Sequence, residues 1–112
     1  MGRSLTGDLS ALEQQVMLAV LRLHPSAYGI TIREHIAEKT GKAPSLGSVY
    51  AVLDRLEDKG YSTSRLGEPT AERGGRAKIY FSLTASGEAT LRRSLEALRS
   101  LQSGLRWREA RV

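Results

Sequence analysis

The amino-acid sequence predicts a mainly α fold with a single β-hairpin, and three observations carry the prediction. Between Ser10 and Gly60, three stretches of helical period are separated by short breaks at His24-Pro25 and at Gly41 to Pro44. From Lys78 to Leu83 the period falls to two, as in a half-buried strand. After Thr84 the helical period returns, with leucines at near-heptad spacing.

Ser10 and Glu13 stand at the spacing of a capping box, in which hydroxyl and carboxylate each satisfy an orphan backbone N–H, and they open a first helix running to about Leu23. The run from Val16 to Leu21 is apolar nearly all round. A chain of 112 residues has little material to cover both sides of such a helix, so one face is expected to meet the core and the other a second subunit. Ser26 is the expected cap of a second helix from about Tyr28 to Lys39, in which Ile32 and Ile36 share a face, and Gly41 ends it. Ser45 then caps a third helix from Leu46 to about Lys59, ended by Gly60. Within that helix Val49, Val52, Leu53 and Leu56 fall on one side, and Gly47, Ser48, Ala51, Asp54 and Arg55 on the other.

Tyr61 to Arg65 favours extended chain, and Ile79, Phe81 and Leu83 alternate with Lys78, Tyr80 and Ser82, which predicts the two strands of a hairpin. The connection from Gly67 to Gly75 is too long for a tight turn and rich in glycine, so a mobile tip is expected. Thr84 caps a last helix reaching the Ser103 and Gly104 region. Along it Leu91, Leu95, Leu98 and Leu105 approximate an a/d seam with Leu101 beside it. The order is that of a winged helix-turn-helix over residues 8–84, followed by a C-terminal dimerisation helix over 85–105 and a tail, 106–112, expected to be disordered. Leu12, Val16, Leu91, Leu95, Leu98 and Leu105 are the expected dimer-interface residues.

Composition narrows the function. Lys and Arg number 17 against 12 Asp and Glu, a formal net charge of +5 that suits a polyanionic partner. The absence of cysteine excludes disulfides, thiolate zinc sites and a thiol nucleophile. His24 and His35 have no partner at metal-ligand spacing, and no Ser-His-Asp constellation or phosphate-cradling loop can be assembled. No enzyme activity, metal or cofactor is expected. Met1 to Leu9 lacks the features of a secretion signal and Val16 to Leu21 is too short to span a membrane, which points to a cytoplasmic protein without a membrane partner.

Three groups of residues, in order and at their spacings, resemble the PadR family of transcriptional regulators, in its short subfamily with one C-terminal dimerisation helix. They are Tyr28-Gly29; Gly47-Ser48-Val49-Tyr50 continuing through Leu53-Asp54-Arg55-Leu56-Glu57 to Gly60; and Gly74-Gly75-Arg76 leading to Tyr80-Phe81-Ser82-Leu83-Thr84 and Gly87. The likeness covers about Leu9 to Leu101. Ala51 stands where the family often has proline. Gly75-Arg76-Ala77-Lys78-Ile79 stands where it often reads Gly-Arg-Pro-Arg-Lys, so one usual cation is lost at Ile79 while Arg76 and Lys78 remain. Some relatives stack planar drugs on a tryptophan of the last helix; Leu98 occupies the matching position, and Trp107 lies further along.

The candidate DNA-binding residues follow from the helix-turn-helix and the hairpin. Ser48, Ala51 and Arg55 face outward on the third helix, Ser45 is either cap or contact, and Tyr28 and Tyr50 carry hydroxyls suited to phosphate oxygens. Arg65, Arg73, Arg76 and Lys78 concentrate charge on the hairpin, with Gly75 permitting close approach to a backbone. The expected partners are double-stranded DNA and a second copy of the chain, acting as a repressor on an inverted-repeat operator. Two other readings stay open: a winged-helix module that holds a protein partner, and a ligand-responsive sensor in which a small-molecule effector occupies a cavity at the dimer interface.

Overall fold

The structure, a computed structural model, describes residues 8–68 and 77–108. The chain runs α1 (Ala11–Leu23), α2 (Gly29–Thr40), α3 (Leu46–Asp58), β1 (Ser62–Leu66), β2 (Ile79–Leu83) and α4 (Ala85–Gln102). This is the mainly helical, single-hairpin architecture expected, and the strands pair antiparallel from Ser62 opposite Leu83 to Leu66 opposite Ile79. Among the described residues no helix is long and apolar enough to cross a membrane.

Local chemistry sets the helix starts. The Ser10 hydroxyl accepts the Glu13 N–H at 3.1 Å and the Glu13 carboxylate accepts the Ser10 N–H at 2.8 Å, closing the box that opens α1. α3 opens on Ser45, whose hydroxyl accepts the Ser48 N–H at 3.0 Å, and α4 on Thr84, which does the same for Gly87 at 2.9 Å. The start of α2 departs from expectation. Ser26 does not cap it, because a turn closed by the Ser26 N–H on the Leu23 carbonyl at 2.8 Å sets the helix start back to Gly29, with Tyr28 at the N-cap position. The chain leaves that turn only at Tyr28, whose N–H is accepted by Thr31 Oγ1 at 3.1 Å.

The core is built around α1. Val16, Met17, Ala19 and Val20 are enclosed by Ile32 and Ile36 of α2, by Val49, Val52, Leu53 and Leu56 of α3, by Phe81 of β2 and by Leu91 of α4. The hairpin is tied to the helices by backbone bonds from Phe81 N–H to the Ala27 carbonyl and from Tyr61 N–H to the Leu56 carbonyl, both at 2.8 Å. Its outer end reaches past the core. Ile79, which alternates in step with Phe81, is exposed there opposite exposed Leu66.

Two residues expected at a subunit interface lie in the chain's own core instead: Val16 is 0% exposed and Leu91 2%. Both sit where α1, α3 and the first turns of α4 converge, so their area is used within the subunit. Leu12 and Leu95 are partly buried at the core's border. Beyond Leu95, α4 departs from the domain, and Leu98 and Leu101 are 49% and 79% exposed. Leu105 is not on the helical seam. The helix ends at Gln102, Gly104 takes a left-handed φ of 78° that side-chain-bearing residues rarely adopt, and Leu105 follows in irregular chain with exposed Trp107. Of the tail, residues 106–108 are irregular and 109–112 lie outside the described residues.

Leu56 is fully buried where α3 meets both α1 and the hairpin. Leu56→Ala is expected to lower the unfolding free energy by about 2–5 kcal/mol, the range for deleting a leucine side chain from a packed core. Denaturant titration checks this, with a loss under about 1 kcal/mol meaning that the site collapses to fill the cavity.

Candidate nucleic-acid interface

The outward side of α3 is where the sequence reading placed it. Gly47, Ser48, Ala51, Asp54 and Arg55 are all exposed, while Val49, Val52, Leu53 and Leu56 are buried on the opposite side. Near its N-terminus the exposed surface is low, made of Gly47, Ser48 and Ala51. Ser45 is both cap and candidate contact: its hydroxyl accepts the Ser48 N–H and also donates to the Ser48 hydroxyl at 2.8 Å. With its oxygen so occupied, Ser48 keeps its own O–H to donate outward.

The turn between α2 and α3 is braced from α2, where Arg33 Nε donates to the Pro44 carbonyl at 2.8 Å. Tyr50 reaches back from α3 to the first turn of α2. A Cβ at Gly29 would overlap the Tyr50 hydroxyl and ring carbons, so glycine at position 29 is what lets this half-exposed ring lie against the helix start. Tyr50 therefore joins the two helices and keeps an exposed edge.

Along the outer half of the hairpin three candidate residues, Tyr28, Arg65 and Lys78, come together with Tyr80. Tyr28 and Tyr80 meet edge to face with centroids 5.7 Å apart; the Arg65 guanidinium lies 4.8 Å from the Tyr80 centroid and Lys78 Nζ 5.4 Å from that of Tyr28. Arg65 also donates to the Pro25 carbonyl at 3.2 Å, across the turn that precedes α2. The two rings thus hold two cations beside the start of α2, in contacts worth about 0.5–1 kcal/mol each at exposed sites. A guanidinium so placed has N–H groups left for an anion. Arg73, Gly75 and Arg76 lie outside the described residues.

This arrangement, three helices followed by a basic hairpin with a low, polar face on the third helix, matches known proteins. The profile of the transcriptional regulator PadR-like family covers residues 17–93. The chain belongs to the PadR-like family. Solved structures share its fold. A transcriptional regulator from Clostridium thermocellum superposes with a TM-score of 0.68 at 22% identity, covering 81% of this chain and 85% of that one. A PadR-like transcription factor from Bacteroides fragilis gives 0.66 at 24% identity over 81% and 82%. RosR of H. salinarum gives 0.67 at 21% identity over 90% and 84%. No curated protein sequence matches this chain. As a PadR-like protein it is a DNA-binding transcriptional regulator and not an enzyme. Among its described residues no group of three or more His, Asp and Glu is placed to hold a metal.

Arg55 is placed less freely in this PadR-like chain than its position on α3 suggests. Its Nε lies 3.5 Å from Glu13 Oε2 on α1, and Lys59 Nζ reaches the same oxygen at 3.1 Å. The guanidinium is half exposed and tethered at its inner edge. Sequence reasoning missed Lys59, Arg33 and the second role of Glu13. The capping box announces only one of the two carboxylate oxygens, and no local pattern says that the other meets side chains 42 and 46 residues away.

Burial alone would raise the Glu13 pKa, but the Ser10 N–H, then Lys59 and Arg55, outweigh it and hold the carboxyl below its ordinary value. A carboxylate whose pKa is depressed by folding contributes stability that is complete above the unfolded-state value and is lost as pH falls through the folded-state value. Wild type and Glu13→Gln are therefore expected to differ most in denaturant midpoint at neutral pH, with wild type the more stable. The gap should close as the pH is taken down through the carboxylate range, and a gap that is constant with pH would exclude an ionised Glu13 as its source.

Proposed function

We propose that this chain is a transcriptional repressor that binds a palindromic operator as a homodimer, each subunit laying α3 in the major groove and its hairpin along flanking phosphates. The observation that carries the reading is the face of α3. A helix that buries Val49, Val52, Leu53 and Leu56 offers solvent a low surface of Gly47, Ser48 and Ala51 at its leading end, flanked by the half-exposed ring of Tyr50. Ser48 is the base reader in this reading, and Arg55, two turns on, the flanking contact. Tyr28, Tyr50, Arg65 and Lys78 contact phosphates, together with Arg73 and Arg76, whose placement is proposed from sequence alone. A net charge of +5 supplies the attraction that is independent of sequence.

The dimer is proposed from surfaces that one subunit leaves uncovered. Leu98 and Leu101 of α4 and Leu18 and Leu21 of α1 are exposed, with Leu12 and Leu95 at the border of the core. Pairing α4 with the partner's α1 and α4 would cover them and set two copies of α3 about one helical turn of DNA apart, so half-sites centred about 10 bp apart are expected. A repressor of this kind acts by occupying the promoter. Its place of action is the cytoplasm.

Selection of bound duplexes from random DNA is expected to return an inverted repeat, and enrichment of no motif would transfer weight to a winged helix that holds a protein partner. Ala51→Glu puts a bulky anion on the exposed side of α3 without touching the core, and is expected to abolish binding to the selected duplex while circular dichroism and sedimentation stay those of wild type. A folded variant with undiminished affinity would mean that α3 does not read DNA. Leu98→Glu with Leu101→Glu replaces side chains that the isolated subunit leaves in water, so the subunit should stay folded and the dimer dissociate. An unchanged sedimentation coefficient removes α4 from the interface.

A further inference from the structure

Glu13 is nearly buried, at 4% exposure, in the first turn of α1, and its two carboxylate oxygens have separate tasks. Oε1 accepts the Ser10 N–H and completes the helix cap. Oε2 faces away from α1 and accepts Lys59 Nζ at 3.1 Å and Arg55 Nε at 3.5 Å, from the last turn and C-cap of α3. The cap by itself needs no charge, since glutamine serves the same motif as well as glutamate. A glutamine there would use its one oxygen on Ser10 and turn an NH2 group toward two cations, donor against donor. The cap and the two cations of α3 both favour the negative charge, and only the cations require the second oxygen to carry it.

Val16 and Met17 of α1 and Val49, Leu53 and Leu56 of α3 share the apolar core, and packing of that kind has no preferred direction. The shared carboxylate is directional and acts at one end of α3 only. Ser48 lies eleven residues from Lys59, about 16 Å along the helix at 1.5 Å per residue, so a rotation of a few degrees about the Lys59 end moves Ser48 by about 1 Å. A hydrogen bond to a base edge does not survive that displacement unweakened. The same carboxylate holds Arg55 toward α1 and cancels one of two positive charges beside the DNA-facing surface.

We infer that Glu13 is a positioning residue for sequence reading: from inside α1 it sets the pitch of α3 and restrains Arg55, so that the protein discriminates its operator from other DNA. The inference rests on α3 being the reading helix, as proposed above. It predicts opposite changes in two affinities. In Glu13→Gln the negative charge beside Arg55 and Lys59 is lost, so binding to random-sequence duplex should tighten and its salt slope steepen by up to about one unit. Binding to the selected operator should weaken, and the ratio of the two affinities should fall by about five- to tenfold.

The test measures both affinities across a salt series by titration of labelled duplexes, for wild type, Glu13→Gln, Ser10→Ala and Lys59→Met. Ser10→Ala removes the other half of the cap and leaves the contacts of Glu13 to α3 in place, so it reports what loss of helix stability alone does; its ratio should stay that of wild type. Lys59→Met should lower the ratio in the same sense, and the double variant Glu13→Gln with Lys59→Met should fall no further than the lower of its two parents. Should Glu13→Gln fail to fold, Lys59→Met, altered at the surface end of the contact, carries the decision. A ratio and salt slope unchanged in both Glu13→Gln and Lys59→Met overturn the inference, as does a fall in Ser10→Ala equal to that in Glu13→Gln, or strict additivity in the double variant. Wild-type protein that shows no preference among duplexes would instead overturn the reading of α3 itself.

Discussion

Four side chains on one side of α3 are withdrawn from water against α1, α2 and the root of the hairpin, and because a helix is rigid, their burial aims the opposite side at solvent. The surface that the chain offers to DNA is in this sense the reverse of its core. Ser45 fixes where α3 begins, Gly29 makes room for Tyr50 to lock α3 to α2, and Arg33 braces the turn between them. Each of these local devices matters because the packing of Val49, Val52, Leu53 and Leu56 has already decided which way the helix faces.

Positive charge is distributed with the same economy. The chain carries an excess of five cations, yet several of those nearest the candidate interface are engaged within the chain. Arg65 and Lys78 rest on tyrosine rings, and Arg55 and Lys59 share one buried carboxylate. Long basic side chains lose considerable rotamer freedom when they are pinned to a ligand, so cations already held near their working positions lose less on binding. The contacts within the chain are therefore compatible with phosphate binding, since a ring or one carboxylate oxygen leaves most N–H donors of an arginine free.

The last helix stands apart from this economy. Through Leu91 it belongs to the domain, through Leu95 to its border, and Leu98 and Leu101 beyond are half and largely exposed. Leucines in water on a helix that has left its core are the feature for which the proposed dimer accounts. The exposed side of α1 at Leu18 and Leu21 raises the same question from the other end of the fold.

The order of helices and hairpin, the caps at Ser10, Ser45 and Thr84 and the two sides of α3 were legible in the sequence, because each depends on residues within a few positions of one another. Period and capping chemistry are local, and the chain states them directly. The assignment of leucines and valines between core and subunit surface was not legible. Val16 and Leu91 share the pattern of their neighbours and differ only in what folds over them. Ser26 does not cap α2 because the turn from Leu23 sets the helix start back to Gly29, and Leu105 left the seam because Gly104 ends the helix before it. The meeting of Glu13 with Arg55 and Lys59, and of Tyr28 with Tyr80, joins residues more than 40 positions apart. Such contacts are decided by how the helices pack, and a linear pattern carries no record of which distant side chains that packing brings within reach.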